Sequence, residues 1–75
     1  MNTKQLLNKI SEELDYNGEV EYCYFGVELI TIPFPKVTTQ TEEEFRSILP
    51  PQFDLVVAKT PSNKDCIIIY RKSNS

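Results

Sequence analysis

The sequence predicts a small α+β domain, a two-layer α/β sandwich in which two helices cover one face of a mostly antiparallel four-stranded sheet. Three observations predict it: apolar residues at helical spacing near the N-terminus, alternation with a period of two after Glu19, and a second helix signal followed by two more strand patterns. The predicted order is therefore αββαββ. Residues 1–75 are expected to form one domain in which 73–75 fray.

The first helix is predicted at about residues 3–15. Asn2 and Gln5 have the spacing of a capping box, and Asn17-Gly18 is expected to supply the left-handed residues that end the helix. One face carries an apolar stripe that must pack against the sheet, formed by Leu6, Leu7, Ile10 and Leu14.

Two strands are predicted between Glu19 and Pro33. Apolar and charged residues alternate after Glu19, and the β-branched segment VELITI follows Gly26. Pro33 is expected to end the second strand because proline has no N–H for a ladder. We expect a hairpin with its turn at Phe25-Gly26; the alternative is a bulge at Gly26 within one long bent strand.

The second half of the chain predicts a helix and another hairpin. Thr41 precedes three glutamates, which predicts a capping box and a helix at about 42–49 that buries Phe45 and is stopped by Pro50-Pro51. The segments FDLVVAK and CIIIYRK, joined by the turn-forming TPSNKD, predict two antiparallel strands.

The composition argues against several kinds of site. Eleven acidic and eight basic residues give a net charge of -3, which disfavours a general nucleic-acid binder. The chain has no histidine, and its two cysteines, Cys23 and Cys66, do not form a C-x-x-C pair, so we predict free thiols and no metal site. Two glycines are too few for a phosphate-binding loop, so we predict no cofactor, no catalytic residues and no enzymatic activity.

The N-terminal segment places charged residues within one turn of every apolar one. It therefore resembles neither a signal peptide nor a membrane span, and we expect no membrane association and a cytoplasmic location.

The sheet face opposite the helices is predicted to be too apolar to lie in water. The residues expected to point at the helices are Val20, Tyr22, Tyr24, Val27, Leu29, Phe53, Leu55 and Val57. The far face would then carry Cys23, Phe25, Ile30, Ile32, Val56, Ala58 and either Ile67 with Ile69 or Ile68. The alternative is a different strand register, which would leave this face mostly charged.

The leading functional hypothesis is a small protein-binding module, an inhibitor or accessory subunit, that uses an apolar sheet surface with an acidic rim. The predicted partner-binding residues are Glu19, Glu21, Phe25, Glu28, Ile30, Ile32, Val56, Ile67 and Ile69. A homodimer through the sheet face or a sheet edge is also expected, because a second copy would cover both. The alternative function is nucleic-acid binding by tyrosines of the sheet, which the nearby glutamates disfavour.

Overall fold

The structure, a computed structural model, describes residues 2–22 and 27–72. It confirms the predicted order αββαββ. The elements are α1 (Thr3–Leu14), β1 (Glu19–Tyr22), β2 (Glu28–Phe34), α2 (Thr39–Ile48), β3 (Phe53–Lys59) and β4 (Asp65–Arg71). The predictions for Cys23, Tyr24, Phe25 and Gly26, and the prediction that 73–75 fray, lie outside the described residues.

Helix α1 begins with the predicted capping box. The Asn2 side chain accepts a hydrogen bond from the Gln5 N–H at 2.8 Å, and the Gln5 side chain accepts one from the Asn2 N–H at 2.9 Å. The end of the helix differs from the prediction, because the left-handed residue is Asp15, with φ of 59°, and not Asn17. Asp15 thus takes the position where glycine or asparagine is usual.

Gly18 is required for close approach rather than for helix termination. A Cβ atom at this position would lie 2.6 Å from the Ile32 Cγ1 atom and 2.9 Å from the Thr31 carbonyl oxygen. Any side chain at residue 18 would therefore push the start of β1 away from β2.

Helix α2 begins three residues earlier than predicted. Its N-cap is Thr38, whose hydroxyl accepts a hydrogen bond from the Thr41 N–H at 3.2 Å, so Thr41 lies inside the first turn. Both threonines have a polar residue three positions later, and the earlier one accepts a hydrogen bond from one of the free N–H groups at the helix start. The helix ends before Pro50-Pro51, as predicted.

The four strands form one antiparallel sheet in the order β1-β2-β4-β3. The pairing of β1 with β2 favours the hairpin over one bent strand, but the register differs from the expected one. A two-residue turn at Phe25-Gly26 would place Tyr22 opposite Leu29, whereas the structure pairs Tyr22 with Glu28. Because a shift of one residue turns every side chain to the other face, the predicted faces of β2 are reversed, and Leu29 points away from the helices.

The covered face of the sheet therefore carries the residues that the sequence analysis placed opposite the helices. Ile30 and Ile32 are 0% and 1% exposed, and Ile67 and Ile69 are 0% and 1% exposed. The predicted place of Ile30 and Ile32 on the far face is wrong, since they form the core with residues of both helices. Of the two alternatives for β4, the one with Ile68 on the far face is correct, and Ile67 with Ile69 belong to the core. The apolar residues of the covered face include Val20, Ile30, Ile32, Phe34, Phe53, Leu55, Ile67 and Ile69.

Pro33 does not end β2, which continues to Phe34. The β3–β4 hairpin shows why. The Thr60 N–H donates to the Lys64 carbonyl, and the Lys72 N–H donates to the Gln52 carbonyl. The backbone groups of even-numbered β4 residues therefore bond to β3, and those of odd-numbered β4 residues bond to β2. Odd-numbered β4 residues pair with even-numbered β2 residues, so the backbone of Pro33 faces β1 and not β4. No residue of β1 lies opposite Pro33, so its missing N–H has no partner in the sheet to bond.

Three aromatic rings close the core between the helices and the sheet. The Tyr16 ring lies 5.0 Å from Phe34 and 5.4 Å from Phe45, and the Phe34 and Phe45 rings are 5.9 Å apart in an edge-to-face arrangement. Such contacts add to the stabilisation from burial alone, and they connect the end of α1, the end of β2 and α2.

Candidate functional site

The open face of the sheet is the surface that neither helix covers. Side chains alternate along each strand, so the neighbours of the core residues point to this side. Its members are Glu19, Glu21, Leu29, Thr31, Pro33, Asp54, Val56, Ala58, Cys66, Ile68 and Tyr70.

The centre of the open face is apolar and only partly protected from solvent. Val56 is 45% exposed, while Leu29, Cys66 and Ile68 are half-buried. The Cys66 thiol is free.

A shallow depression of about 730 Å³ crosses this surface. Its floor includes Thr31, Pro33, Cys66 and Ile68. One side includes Glu19 and Glu21 from β1 and is acidic. The other side includes Lys59 at the end of β3, with Thr60 and Pro61 of the β3–β4 turn, and the Lys59 ammonium is paired with Asp65.

One edge of the open face is acidic. Glu19 and Glu21 are both exposed, and within residues 2–22 and 27–72 no ion pair joins either of them to a base. Their two carboxylates are one strand away from the apolar centre, since Glu21 pairs with Leu29 and Glu19 pairs with Thr31.

The acid at the other edge is neutralised within the chain. The Asp54 carboxylate accepts hydrogen bonds from the Leu55 N–H at 2.8 Å and from Arg46 at 3.1 Å, and it lies 3.5 Å from the Tyr70 hydroxyl. The Leu55 N–H, followed by Arg46, lowers the pKa of Asp54. Asp54 therefore organises the β3 edge and does not add free charge to the face.

Another carboxylate, that of Asp65, is buried on the covered side. Asp65 is 8% exposed and accepts hydrogen bonds from the Val37 N–H at 2.6 Å and from the Lys59 ammonium at 3.1 Å. The Val37 N–H, followed by Lys59, lowers the pKa of Asp65. These contacts attach the segment before α2 to the start of β4, which is a structural role.

The predicted partner-binding residues are divided by the structure. Glu19, Glu21 and Val56 lie together on the open face, as expected from the sequence. Glu28 is exposed, but it lies two residues before Ile30 on β2 and therefore on the same side of the sheet as Ile30, opposite the open face. The remaining predicted residues are Ile30, Ile32, Ile67 and Ile69 in the core and Phe25, which lies outside the described residues.

The open face also contains residues that were not predicted there from the sequence: Leu29, Thr31, Pro33, Cys66 and Tyr70. The signal that would have found them is the hairpin register: a pairing that sets Tyr22 opposite Glu28 keeps even-numbered residues of β1 and β2 on one side. The same register separates two tyrosines of the sheet, since Tyr22 lies on the covered side and Tyr70 lies on the open face.

Across the described ranges, no three His, Cys, Asp or Glu side chains are close enough to hold a metal ion. In the same ranges, neither helix is long and apolar enough to cross a membrane. No family model matches the chain, and the comparisons with curated proteins and with solved structures find no match either.

Proposed function

We propose that the chain is a small, non-enzymatic protein-binding module of the cytoplasm, an inhibitor or accessory subunit, whose open face holds a basic protein partner. The observation that carries this proposal is the half-exposed apolar centre of the open face beside the exposed carboxylates of Glu19 and Glu21. Interfaces commonly combine an apolar centre with a polar rim. The apolar side chains would provide the affinity, and the carboxylates would speed the association of a partner with lysine or arginine.

The charges on this face favour a different protein over a second copy. Among the described residues, the charged strand positions of the open face are Glu19, Glu21 and Asp54, and all three are acidic. Asp54 is already paired with Arg46, and two open faces packed together would offer Glu19 and Glu21 only Lys59 at the side of the depression, which is itself paired with Asp65. A homodimer through the sheet face also loses much of its basis, because the isoleucines expected on that face are core residues, whereas a homodimer through a sheet edge stays a prediction.

The proposal is tested by affinity capture from the source cells with a charge-matched control. Glu19→Lys with Glu21→Lys reverses the acidic edge, and Glu28→Lys with Glu43→Lys makes the same change at positions away from the open face. A partner retained by wild type and the control, and weakened at least about tenfold by E19K/E21K, supports the proposal. Equal capture by E19K/E21K and wild type would show that Glu19 and Glu21 do not contribute to binding the partner.

The apolar centre is tested separately. Ile68→Asp places a charge in the middle of the open face, where a bound partner would have to desolvate it, and should abolish capture while leaving the fold intact. Capture unchanged by I68D would show that the partner binds elsewhere.

Nucleic-acid binding remains the alternative function, and a gel-shift assay decides it. Tyr22 and Tyr70 lie on opposite faces of the sheet, so these two rings do not form one surface on which bases could stack. We expect no shift of labelled RNA or DNA at about 50 mM salt, where phosphate contacts are strong. A shift that weakens as salt rises would favour this alternative.

A further inference from the structure

The edges of the sheet differ in how far they are closed. β1 forms one edge, has four residues and carries two glutamates, which is a common protection against edge pairing. β3 forms the other edge, has seven residues in unbroken register with β4, and contains no proline. Its central residues Val56 and Val57 are 45% and 43% exposed on opposite sides of the sheet.

The hydrogen-bond pattern identifies which backbone groups of β3 face outward. Gln52 and Thr60 bond to Lys72 and Lys64, the residues on either side of β4, so the backbone groups of the even-numbered residues between Gln52 and Thr60 also point to β4. The N–H groups that face the free edge are therefore those of Phe53, Leu55, Val57 and Lys59.

Half of this edge is already closed by contacts within the chain. The Phe53 N–H donates to the Pro50 carbonyl at 3.0 Å, and the Leu55 N–H donates to the Asp54 carboxylate at 2.8 Å. Arg46 of α2 holds that carboxylate at 3.1 Å. The N–H groups of residues 57 and 59 have no strand of the described chain beside them.

We propose that the β3 edge is a second interaction surface, that its partner is β3 of a second copy, and that Asp54 keeps it closed by occupying the Leu55 N–H. The pairing is antiparallel about a two-fold axis at Val57. In this register Val57 faces Val57 of the second copy, and Leu55 faces Lys59. It uses all outward N–H groups except that of Phe53, and the Leu55 N–H is the one that must first be released.

The register also matches the side chains. Val56 lies opposite Ala58 of the second copy on the open-face side, and Val57 lies opposite its own copy on the other side. Two valines that are half exposed in the monomer would therefore be covered by apolar neighbours. Asp54 lies opposite Thr60, so no like charges face each other.

The first experiment removes the carboxylate. Asp54→Ala, with Asp54→Val as a replacement of higher strand propensity, is compared with wild type by light scattering at about 100 μM and by amide exchange. We expect both variants to double the monomer mass of 8.7 kDa and to exchange more slowly than wild type at Val57 and Lys59. Asp54→Asn keeps an acceptor oxygen for the Leu55 N–H, so it should behave as wild type.

The second experiment tests the register. Val57→Lys in the D54A background places like charges opposite each other at the axis and should restore the monomer, whereas Val56→Lys in that background should leave the dimer. Fast exchange at Val57 in both folded D54A and folded D54V overturns the proposal. Dimerisation by D54N overturns the role of the hydrogen bond, and a dimer insensitive to V57K overturns the register.

Discussion

On β4, Ile67 and Ile69 are 0% and 1% exposed beneath the helices, whereas Ile68 between them is half-buried on the open face. The three residues are identical in type and consecutive in sequence, and only their alternation along the strand separates them. At these three positions of β4 the covered and open faces thus differ in what packs on them and not in residue type. The same apolar residue type therefore forms the core where helices cover the strand and stays partly exposed on the open face.

The largest expected effect on the free energy of unfolding comes from shortening an isoleucine side chain on each face of the sheet in turn. Ile69→Ala should cost about 2 to 5 kcal/mol in the free energy of unfolding, because it leaves a cavity in the core. Ile68→Ala removes the same atoms at a half-exposed site and should cost less than about 1 kcal/mol. Ile10→Ala and Leu55→Ala belong with Ile69, since Ile10 is 0% and Leu55 is 2% exposed.

Urea unfolding followed by circular dichroism measures these differences. Equal losses for Ile68→Ala and Ile69→Ala would mean that both sides of β4 are equally buried, and the distinction between the faces would fail.

The elements of this fold could be predicted from sequence because each has a local signal. The stripe around Ile10, the capping box at Asn2 and the hairpin patterns depend on neighbours in the chain. Thr38 and Thr41 show the limit of local signals, because two threonines at equivalent spacing both satisfy the N-cap rule. Only the observed hydrogen bond distinguishes them.

The faces of the sheet could not be predicted because they depend on one residue of register. In the run Ile67-Ile68-Ile69 both the odd-numbered and the even-numbered residues are apolar, so the sequence does not indicate which of them face the core. In β2 the side on which each residue lies is set by the register of the preceding hairpin. Assuming a two-residue turn reversed that phase and moved Ile30 and Ile32 to the wrong side. Glu19 and Glu21 were placed on the open face because β1 alternates clearly on its own.

A smaller effect is expected where β1 enters the sheet beside the covered face. Gly18→Ala places its Cβ atom 2.6 Å from Ile32 Cγ1 and 2.9 Å from the Thr31 carbonyl, so β1 must shift. We expect a loss of about 1 to 3 kcal/mol in thermal unfolding. Asn17→Ala, at the exposed neighbouring residue, should change stability by less than about 0.5 kcal/mol. Similar values for the two variants would contradict a close approach at Gly18.

The smallest effect concerns the Asp65 carboxylate on the covered side, and it appears as a dependence on pH. Hydrogen bonds from the Val37 N–H and from Lys59 lower the pKa of Asp65 below its ordinary value of 3.8. A lowered pKa stabilises the folded state at pH values above the ordinary one, and this stabilisation disappears as the pH falls through the lowered pKa. Asp65→Asn lacks the titrating group. The difference in unfolding free energy between wild type and D65N should therefore be constant above about pH 5 and shrink steadily below the ordinary pKa.

Urea midpoints of wild type and D65N, measured from neutral to strongly acidic pH, test this expectation. Asp54 also has a lowered pKa, but it is present in both proteins, so its contribution cancels in the difference. A difference that stays constant into acid would mean that the D65N substitution acts by disturbing packing. The charge of Asp65 would then contribute nothing to holding the covered face together, and the hydrogen bond from the Val37 N–H would matter only as a neutral contact.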